Sequence, residues 1–287
     1  MTIVCKFCGS TDVIRWGAKH GTQYYRCKTC GRKFAQNMAL PGMRYSPDLI
    51  ASALNQFYEG MSLNAIRRHL DHDYQLIPSD STVYEWMVRF TKQAVAALGG
   101  LLVSYGDVIV VDETVLGIDG KNAWFWDAIS DDSRYLVASH LSYERSMQQA
   151  VALMRRVEAI GTKPPRFVVS DGLRSYPDAV ERVFGADTKH VVSRGFSHEV
   201  NTNLIERFHG TIKQRTKVMR GMQNIHTARL VMDGWLVHYN FFRPHESLDG
   251  ATPGRMAKVA YPFTSWSEVV KHGYIPTEHR HTTRLPT

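Results

Sequence analysis

The stretch Asp107-Val108-Ile109-Val110-Val111-Asp112 decides the fold of this chain of 287 residues. Its four consecutive β-branched residues favour a buried strand, and the aspartate that follows them is disfavoured in so apolar a strand. Asp119-Gly120 is a hairpin turn signal, and the segments 122–129 and 135–141 have strand character. The sequence therefore predicts an antiparallel meander that starts at Asp107.

Helical and extended segments alternate after this meander. Residues 146–160 and 176–184 have helical patterns, whereas 167–169 and 190–192 are extended. A meander followed by such alternation predicts an α/β fold of the RNase-H-like type, in which the first strand accepts parallel neighbours. Asp112 and Asp171 are then expected to end two adjacent strands and to converge on one metal ion. A lone aspartate at a strand end is more often a cap or turn residue, and Asp127 in the second strand is an alternative ligand.

A third acid, Glu206, lies on a capped amphipathic helix that follows Asn203. Four apolar residues form one face of this helix: Leu204, Ile205, Phe208 and Ile212. We expect Glu206 on the other face together with Lys213 and Lys217, which are suited to contact a nucleic-acid backbone. The alternative is a solvated face with ordinary Glu–Lys pairs. His209 is expected to contact DNA or pack at the surface, since a second Glu-x-x-His pair for a metal is missing.

All cysteines fall in two Cys-x-x-Cys pairs near the N-terminus: Cys5, Cys8, Cys27 and Cys30. This spacing predicts a closed tetrahedral site for a structural Zn²⁺ ion. So short a segment buries little core, so the metal supplies its folding energy. Basic and aromatic neighbours suit the ribbon to DNA; a protein-binding ribbon is the alternative.

Residues 46–92 have the pattern of short helices separated by turns. Ser46, Ser62 and a serine near 79–81 are suited to cap three helices, which predicts an all-α helix-turn-helix module. The last helix would read a DNA groove with exposed residues such as Arg89. A plain helical linker domain is the alternative.

The formal net charge is +8, with 35 Lys and Arg against 27 Asp and Glu. The basic residues cluster near the N-terminus and around 205–229, which indicates a nucleic-acid partner. No stretch approaches the roughly 18 consecutive apolar residues of a membrane helix, and no signal peptide is visible. We therefore expect a cytoplasmic protein without a membrane partner.

The chain resembles the insertion-sequence transposases with a DDE core, relatives of retroviral integrases, over about 106–256. The resemblance rests on the motifs Val111-Asp112-Glu113-Thr114, Ser170-Asp171-Gly172 followed by Tyr176, Asn203-Leu204-Ile205-Glu206-Arg207, and Tyr239-Asn240-Phe241-Phe242-Arg243-Pro244-His245. The 34 residues between Asp171 and Glu206 are typical of this family, and Lys213 lies where the family has Lys or Arg. Zinc ribbons are present only in some relatives.

The resemblance implies a DNA transposase in which Asp112, Asp171 and Glu206 hold two Mg²⁺ or Mn²⁺ ions for DNA cleavage and strand transfer. Its partners would be double-stranded element ends and target DNA, bound by a homo-oligomer. Lys213, Arg207, Lys217 and Arg89 would contact this DNA. Glu113 should point away from Asp112 and have a structural role.

The resulting organisation has four parts: a zinc ribbon at 1–40, a helix-turn-helix module at 41–98, a catalytic domain at 104–260 and a C-terminal tail at 261–287. Two other classes of protein remain possible on the sequence alone. One is a DNA-binding regulator with a retired core, against which the acid triad argues. The other is a host nuclease of the same fold, which cuts DNA without joining it.

Overall fold

The computed structural model describes residues 3–19, 21–37, 39–193, 203–219 and 222–272. Its N-terminal part is a small antiparallel sheet in the order β1 (Val13–Lys19), β2 (Thr22–Cys27) and β3 (Lys33–Ala35). A cluster of four buried residues, three of them within this sheet, is separate from the main core: Cys5, Tyr25, Cys27 and Phe34. The ribbon therefore has very little apolar core of its own.

Residues 47–96 form the three helices that the capping serines predict: α1 (Pro47–Tyr58), α2 (Leu63–Tyr74) and α3 (Asp80–Ala96). The hydroxyls of Ser46, Ser62 and Ser79 each accept a hydrogen bond from a backbone N–H of the first turn. α2 continues to Tyr74, which shortens the connection to α3 relative to the gap expected from the sequence. None of the helices in the described part of the chain is long and apolar enough to cross a membrane.

A second sheet has the order β6-β5-β4-β7-β8 within the described residues. Its strands are β4 (Val108–Ile118), β5 (Lys121–Ser130), β6 (Leu136–Ser142), β7 (Phe167–Ser170) and β8 (Lys189–Val192). β4, β5 and β6 are antiparallel, whereas β7 and β8 run parallel to β4. Asp119 and Gly120 form the predicted hairpin with φ values of 53° and 67°. The predicted meander and its parallel extension are thus both confirmed.

Asp112 lies within β4, and the expectation that it ends the strand is wrong. β4 continues to Ile118 because its pairing with β5 extends along the whole hairpin. The parallel pairing with β7 is shorter, and its last partners are Val110 and Val169. Asp112 therefore lies just beyond the point where the parallel part of the sheet stops.

Helices cover both faces of this sheet. They are α4 (Met147–Ile160), α5 (Ser175–Phe184), α6 (Asn203–Lys217) and α7 (Ile225–Val237). Alternation along β4 sends Glu113 towards Tyr176 of α5 on one face and Asp112 towards His209 of α6 on the other. The two sides of β4 therefore make separate connections, one to α5 and one to α6.

The C-terminal part returns to the N-terminal helices. A π-helical turn over His238–Phe242 is followed by α8 (Pro253–Met256) and α9 (Trp266–His272), and α9 packs on α1. The ring of Trp266 stacks on Tyr58 with a centroid distance of 4.8 Å. Residues 266–272, expected to lie in a tail, are therefore part of the folded core.

One continuous apolar core joins α1–α3 to the five-stranded sheet. The helices approach one another at Gly234 of α7, where an added Cβ would overlap the Tyr58 hydroxyl and lie 2.5 Å from Thr91 Cγ2. Tyr58 cannot move aside easily, because its hydroxyl bonds to Thr91 Oγ1 at 2.6 Å and its ring stacks on Trp266. Glycine at this position lets the helices approach closely.

We predict that Gly234→Ala lowers the free energy of unfolding by about 1–3 kcal/mol, because the overpacking outweighs the better helix propensity of alanine. Gly210→Ala is the matched control, since a Cβ there meets nothing within 4 Å. It should raise stability by about 0.5–1 kcal/mol. Urea unfolding of the two variants measures both changes, and equal stabilisation by both would contradict the packing argument.

Candidate active site and cysteine cluster

Asp112 is held in a half-enclosed position on β4. Its Oδ1 accepts a hydrogen bond of 2.8 Å from the Glu113 amide, and its Oδ2 lies 3.5 Å from His209 Nδ1. The side chain of Asp112 is 15% exposed. Burial raises the pKa of Asp112 to about 7, and the nearby charges of Asp127 and Asp171 add to the rise. An ionised carboxylate that is buried to this degree costs free energy unless a cation lies beside it.

Asp171 follows β7 and is exposed. Val110 pairs with Val169, and Asp171 comes two residues later, just after β7, near enough for its charge to raise the pKa of Asp112. Its Oδ1 accepts a hydrogen bond of 3.2 Å from the Leu173 amide, which fixes the turn after the strand. The parallel register therefore places the first two acids next to each other.

Glu206 lies in the first turn of α6 and is exposed. α6 packs across β4 with its apolar side, where Ile205, Phe208 and Ile212 are buried. His209, three residues after Glu206, reaches Asp112. The third acid therefore lies on a helix that packs against β4, one turn before the residue that contacts Asp112.

Within the described residues, the acids do not form a group of three whose oxygens all lie within 4.8 Å of one another; only the cysteines form such a group of ligands. The three acids thus border one region without converging on a single point. Their oxygens are nevertheless the ligands that Mg²⁺ and Mn²⁺ prefer. The donor set and the buried charge of Asp112 fit a divalent cation.

His209 differs from the expectation of a surface or DNA-facing residue. It is buried, and its Nε2 lies 2.8 Å from Asp127 Oδ1 and 3.1 Å from Oδ2. Burial alone would lower the pKa of His209, but the charges of Asp127 and Asp112 raise it overall. Both ring nitrogens face carboxylates, so neither is left for a metal ion. Asp127 is fully buried behind His209, which does not suit it as a substitute ligand.

Glu113 has a structural role on the opposite face of β4, as expected. Its carboxylate accepts hydrogen bonds from Tyr176 Oη at 2.8 Å and from the Arg145 guanidinium. Burial raises the pKa of Tyr176, and the charge of Glu113 adds to it. Because Tyr176 belongs to the helix after Asp171, this bond ties the Asp171 loop to β4.

The four residues expected to contact DNA are all exposed: Arg89, Arg207, Lys213 and Lys217. Arg89 lies on α3, whose Tyr84 hydroxyl is 3.4 Å from Thr227 Oγ1 of α7. The predicted groove-reading helix therefore packs on the catalytic part along one side. Arg215, which the sequence analysis did not single out, is buried with its guanidinium 4.2 Å from the centroid of the Phe57 ring.

The cysteines meet as their spacing predicts. Their sulfurs all lie within 4.8 Å of one another, with Cys5–Cys30 at 3.7 Å and Cys8–Cys27 at 3.5 Å. A tetrahedron with Zn–S bonds of about 2.3 Å has edges of about 3.8 Å, which these separations approach. The amide of Cys30 lowers the pKa of the Cys27 thiol to about 6. The four thiols can therefore hold a tetrahedral metal ion.

Glycine shapes both cysteine loops. Gly9 and Gly31, each next to the second cysteine of a pair, have φ values of 76° and 71° and donate N–H bonds to the carbonyls of Cys5 and Cys27. A residue with a Cβ is strained in this conformation. The Cys-x-x-Cys-Gly pattern is thus a local fold that turns two thiols towards one point.

Comparison with known proteins relates residues 106–245 to one protein family. Residues 106–245 match the DDE domain model of IS240-type transposases. No curated protein matches the chain significantly. The chain is similar to the solved catalytic core domain of BIV integrase, with 16% identity and a TM-score of 0.40, over 53% of this chain and 94% of that one.

Two further solved structures are similar to the chain. The HTLV-2 integrase catalytic core domain in complex with magnesium has 13% identity and a TM-score of 0.40, over 55% of this chain and 99% of that one. A simian T-cell lymphotropic virus intasome in complex with PP2A regulatory subunit B56 gamma has 11% identity and a TM-score of 0.38, over 84% of this chain and 77% of that one.

If the four thiols hold a zinc ion, Cys27→Ser should abolish its binding and unfold the ribbon alone, since the ribbon's own apolar core is too small to hold it. Metal analysis and segment-resolved hydrogen exchange measure this. Residues 108–142 should keep their protection and serve as the internal reference. Thr29→Ser, in the same knuckle, should keep its metal. A fully protected ribbon without metal would contradict the prediction.

Proposed function

Residues 106–245 belong to the DDE domain family of IS240-type transposases, and from this premise we propose that the chain is the transposase of an insertion sequence. The family supports a role in transposition and DNA recombination. The specific activity that we propose is Mg²⁺-dependent cleavage of the element's DNA ends and their transfer to target DNA. The protein would act in the cytoplasm, in the compartment that holds its DNA partners.

The observation that supports this proposal is the environment of the acids. The charge of Asp171 raises the pKa of Asp112, and α6, which carries Glu206 in its first turn, packs on β4. Burial raises the pKa of Asp112 to about 7, and carboxyl groups with perturbed pKa values are concentrated at functional sites. A structural ion pair would explain one acid in such a place, but it does not explain three.

Asp112, Asp171 and Glu206 would hold the divalent ions. Two bound Mg²⁺ or Mn²⁺ ions supply activation of the attacking oxygen and stabilisation of the departing one in an in-line displacement at phosphorus. The protein itself need form no covalent bond with DNA, because phosphoryl transfer depends on positioning and charge neutralisation. Lys213, two helical turns after Glu206 and exposed, would hold a backbone phosphate beside the acids.

Recognition of the element ends would fall to the N-terminal parts. We propose that Cys5, Cys8, Cys27 and Cys30 bind a structural Zn²⁺ and thereby form a DNA-binding ribbon. Its exposed Trp16 lies beneath Lys33 Nζ at 4.1 Å, which combines an aromatic surface with positive charge. Arg89 of the helix-turn-helix module and Arg207 and Lys217 of α6 would add phosphate contacts.

Strand transfer brings two element ends and a target together, so we propose that the protein works as a homo-oligomer on DNA. A retired DNA-binding regulator and a host nuclease of the same fold are the alternatives. End-labelled element DNA incubated with target DNA separates the three. A regulator yields no product, a nuclease yields breaks alone, and a transposase yields joined strands.

We predict that Asp112→Asn, Asp171→Asn and Glu206→Gln each reduce Mg²⁺-dependent strand transfer below detection, because each removes a metal ligand. Affinity for element ends should remain near that of the unmodified protein. Asp107→Asn is the control, since Asp107 pairs with Lys163 at the surface and such pairs contribute little. Retained strand transfer in any of the three variants would show that the wrong acid has been assigned.

A second prediction concerns Lys213→Ala. If Lys213 binds one phosphate, the slope of log K against log salt should become shallower by about 0.9, because one fewer counterion is released. The exposed Lys163, paired with Asp107, provides the matched variant Lys163→Ala, which should leave the slope unchanged. Fluorescence anisotropy at several salt concentrations gives both slopes. Identical slopes for Lys213→Ala and the unmodified protein would exclude the contact.

A further inference from the structure

Two aspartates face each other across the β4–β5 hairpin. Asp112 and Asp127 are direct partners in the antiparallel register, so their side chains lie on the same face of the sheet. Like charges in this relation repel each other and destabilise a sheet. A group that lies between them and contacts both would offset this repulsion.

His209 is that group. Its Nε2 lies 2.8 Å from Asp127 Oδ1, and its Nδ1 lies 3.5 Å from Asp112 Oδ2. The two contacts join α6 to both strands at the level of the candidate active site. Phe208, the preceding residue, packs its ring near Phe125 of β5, which adds an apolar contact next to the polar one.

The three side chains are buried to increasing degrees. The exposed fraction of the side chain is 15% for Asp112, 8% for His209 and 0% for Asp127. Asp127 has no exposed side-chain surface and is bound to His209, so it does not meet DNA or a metal ion directly. Asp127 is therefore placed to act on the site through His209, and the pair does not form part of the surface that meets a substrate.

The position of His209 on α6 links this contact to the third acid. Glu206 lies three residues earlier, or about one turn of the helix. Fixing the imidazole ring against Asp127 therefore fixes both the rotation and the height of the helix that carries Glu206. Asp112 is fixed at the same time, since its Oδ1 is bound by the Glu113 amide and its Oδ2 faces the ring.

We propose that Asp127 and His209 are positioning residues that set the distance between Asp112 and Glu206 and so prepare the acids to bind divalent ions. This inference rests on the proposed function, because it assigns the two residues to the same metal-binding site. Groups that orient metal ligands commonly change metal affinity or activity by about 10–100-fold when they are removed. An effect of that size is measurable without relying on DNA cleavage.

The test is a titration of the full-length protein with Mn²⁺, in which electron paramagnetic resonance counts the free ion. Asp127→Asn keeps the shape of the side chain and removes its charge. His209→Gln keeps an amide donor for Asp127 and loses the contact with Asp112. His140→Gln is the matched control, since His140 lies on β6 and bonds to Gln149 at 2.9 Å, away from the acids.

Both Asp127→Asn and His209→Gln should weaken Mn²⁺ binding by about 10–100-fold. The Mg²⁺ concentration for half-maximal strand transfer should rise by a similar factor, and the rate at saturating Mg²⁺ should recover to within a few fold. A merely structural pair would lower the melting temperature and leave the metal affinity of the folded protein unchanged. The control should bind Mn²⁺ as the unmodified protein does.

Unchanged Mn²⁺ affinity in the two folded variants would overturn this inference and leave the proposed function intact. Equal weakening by His140→Gln would also overturn it, because the loss would then be general. Absence of Mn²⁺ binding in the unmodified protein would overturn the proposed function together with the inference. The variants and the unmodified protein thus separate the two claims.

Discussion

The candidate active site depends on the packing of α6 against β4 and β5. Each buried apolar side chain of this helix contributes about 1.5–3 kcal/mol, and Ile205, Phe208 and Ile212 all lie on the buried side. This gain offsets the cost of enclosing polar groups beneath the helix. Asp127 and His209 are retained there because they bind each other. The same packing that stabilises the helix therefore determines where Glu206 lies relative to the sheet.

The rest of the fold supports this arrangement from two directions. On the far face of β4, Glu113 binds Tyr176 and so ties the Asp171 loop to the strand that carries Asp112. At the other end, Tyr58 of α1 packs against Gly234 of α7 and bonds to Thr91, which joins the N-terminal helices to the catalytic sheet in one core. The ribbon has a separate cluster, so its order depends on its own cysteines.

Much of the fold and the candidate acids could be predicted from the sequence, and the errors share one origin. The capping serines, the Asp119-Gly120 hairpin and the paired cysteines were predicted correctly because each acts within a few residues of chain. Asp112 was misplaced at a strand end, since apolar content does not reveal how far hairpin pairing continues beyond parallel pairing. His209 was assigned to the surface because its partner Asp127 is 82 residues away.

The sequence by itself determined the order of helices and strands, the knuckles that gather the cysteines, and the spacing of the three acids along the chain. These depend on backbone hydrogen bonds and side-chain periodicity, which are short-range and can be seen in the order of residues. Only the tertiary structure decided that His209 lies between two opposed aspartates, that Arg215 is buried against Phe57, and that Trp266 closes over Tyr58. Such contacts depend on which faces meet, and that choice is made by the packing of the whole core.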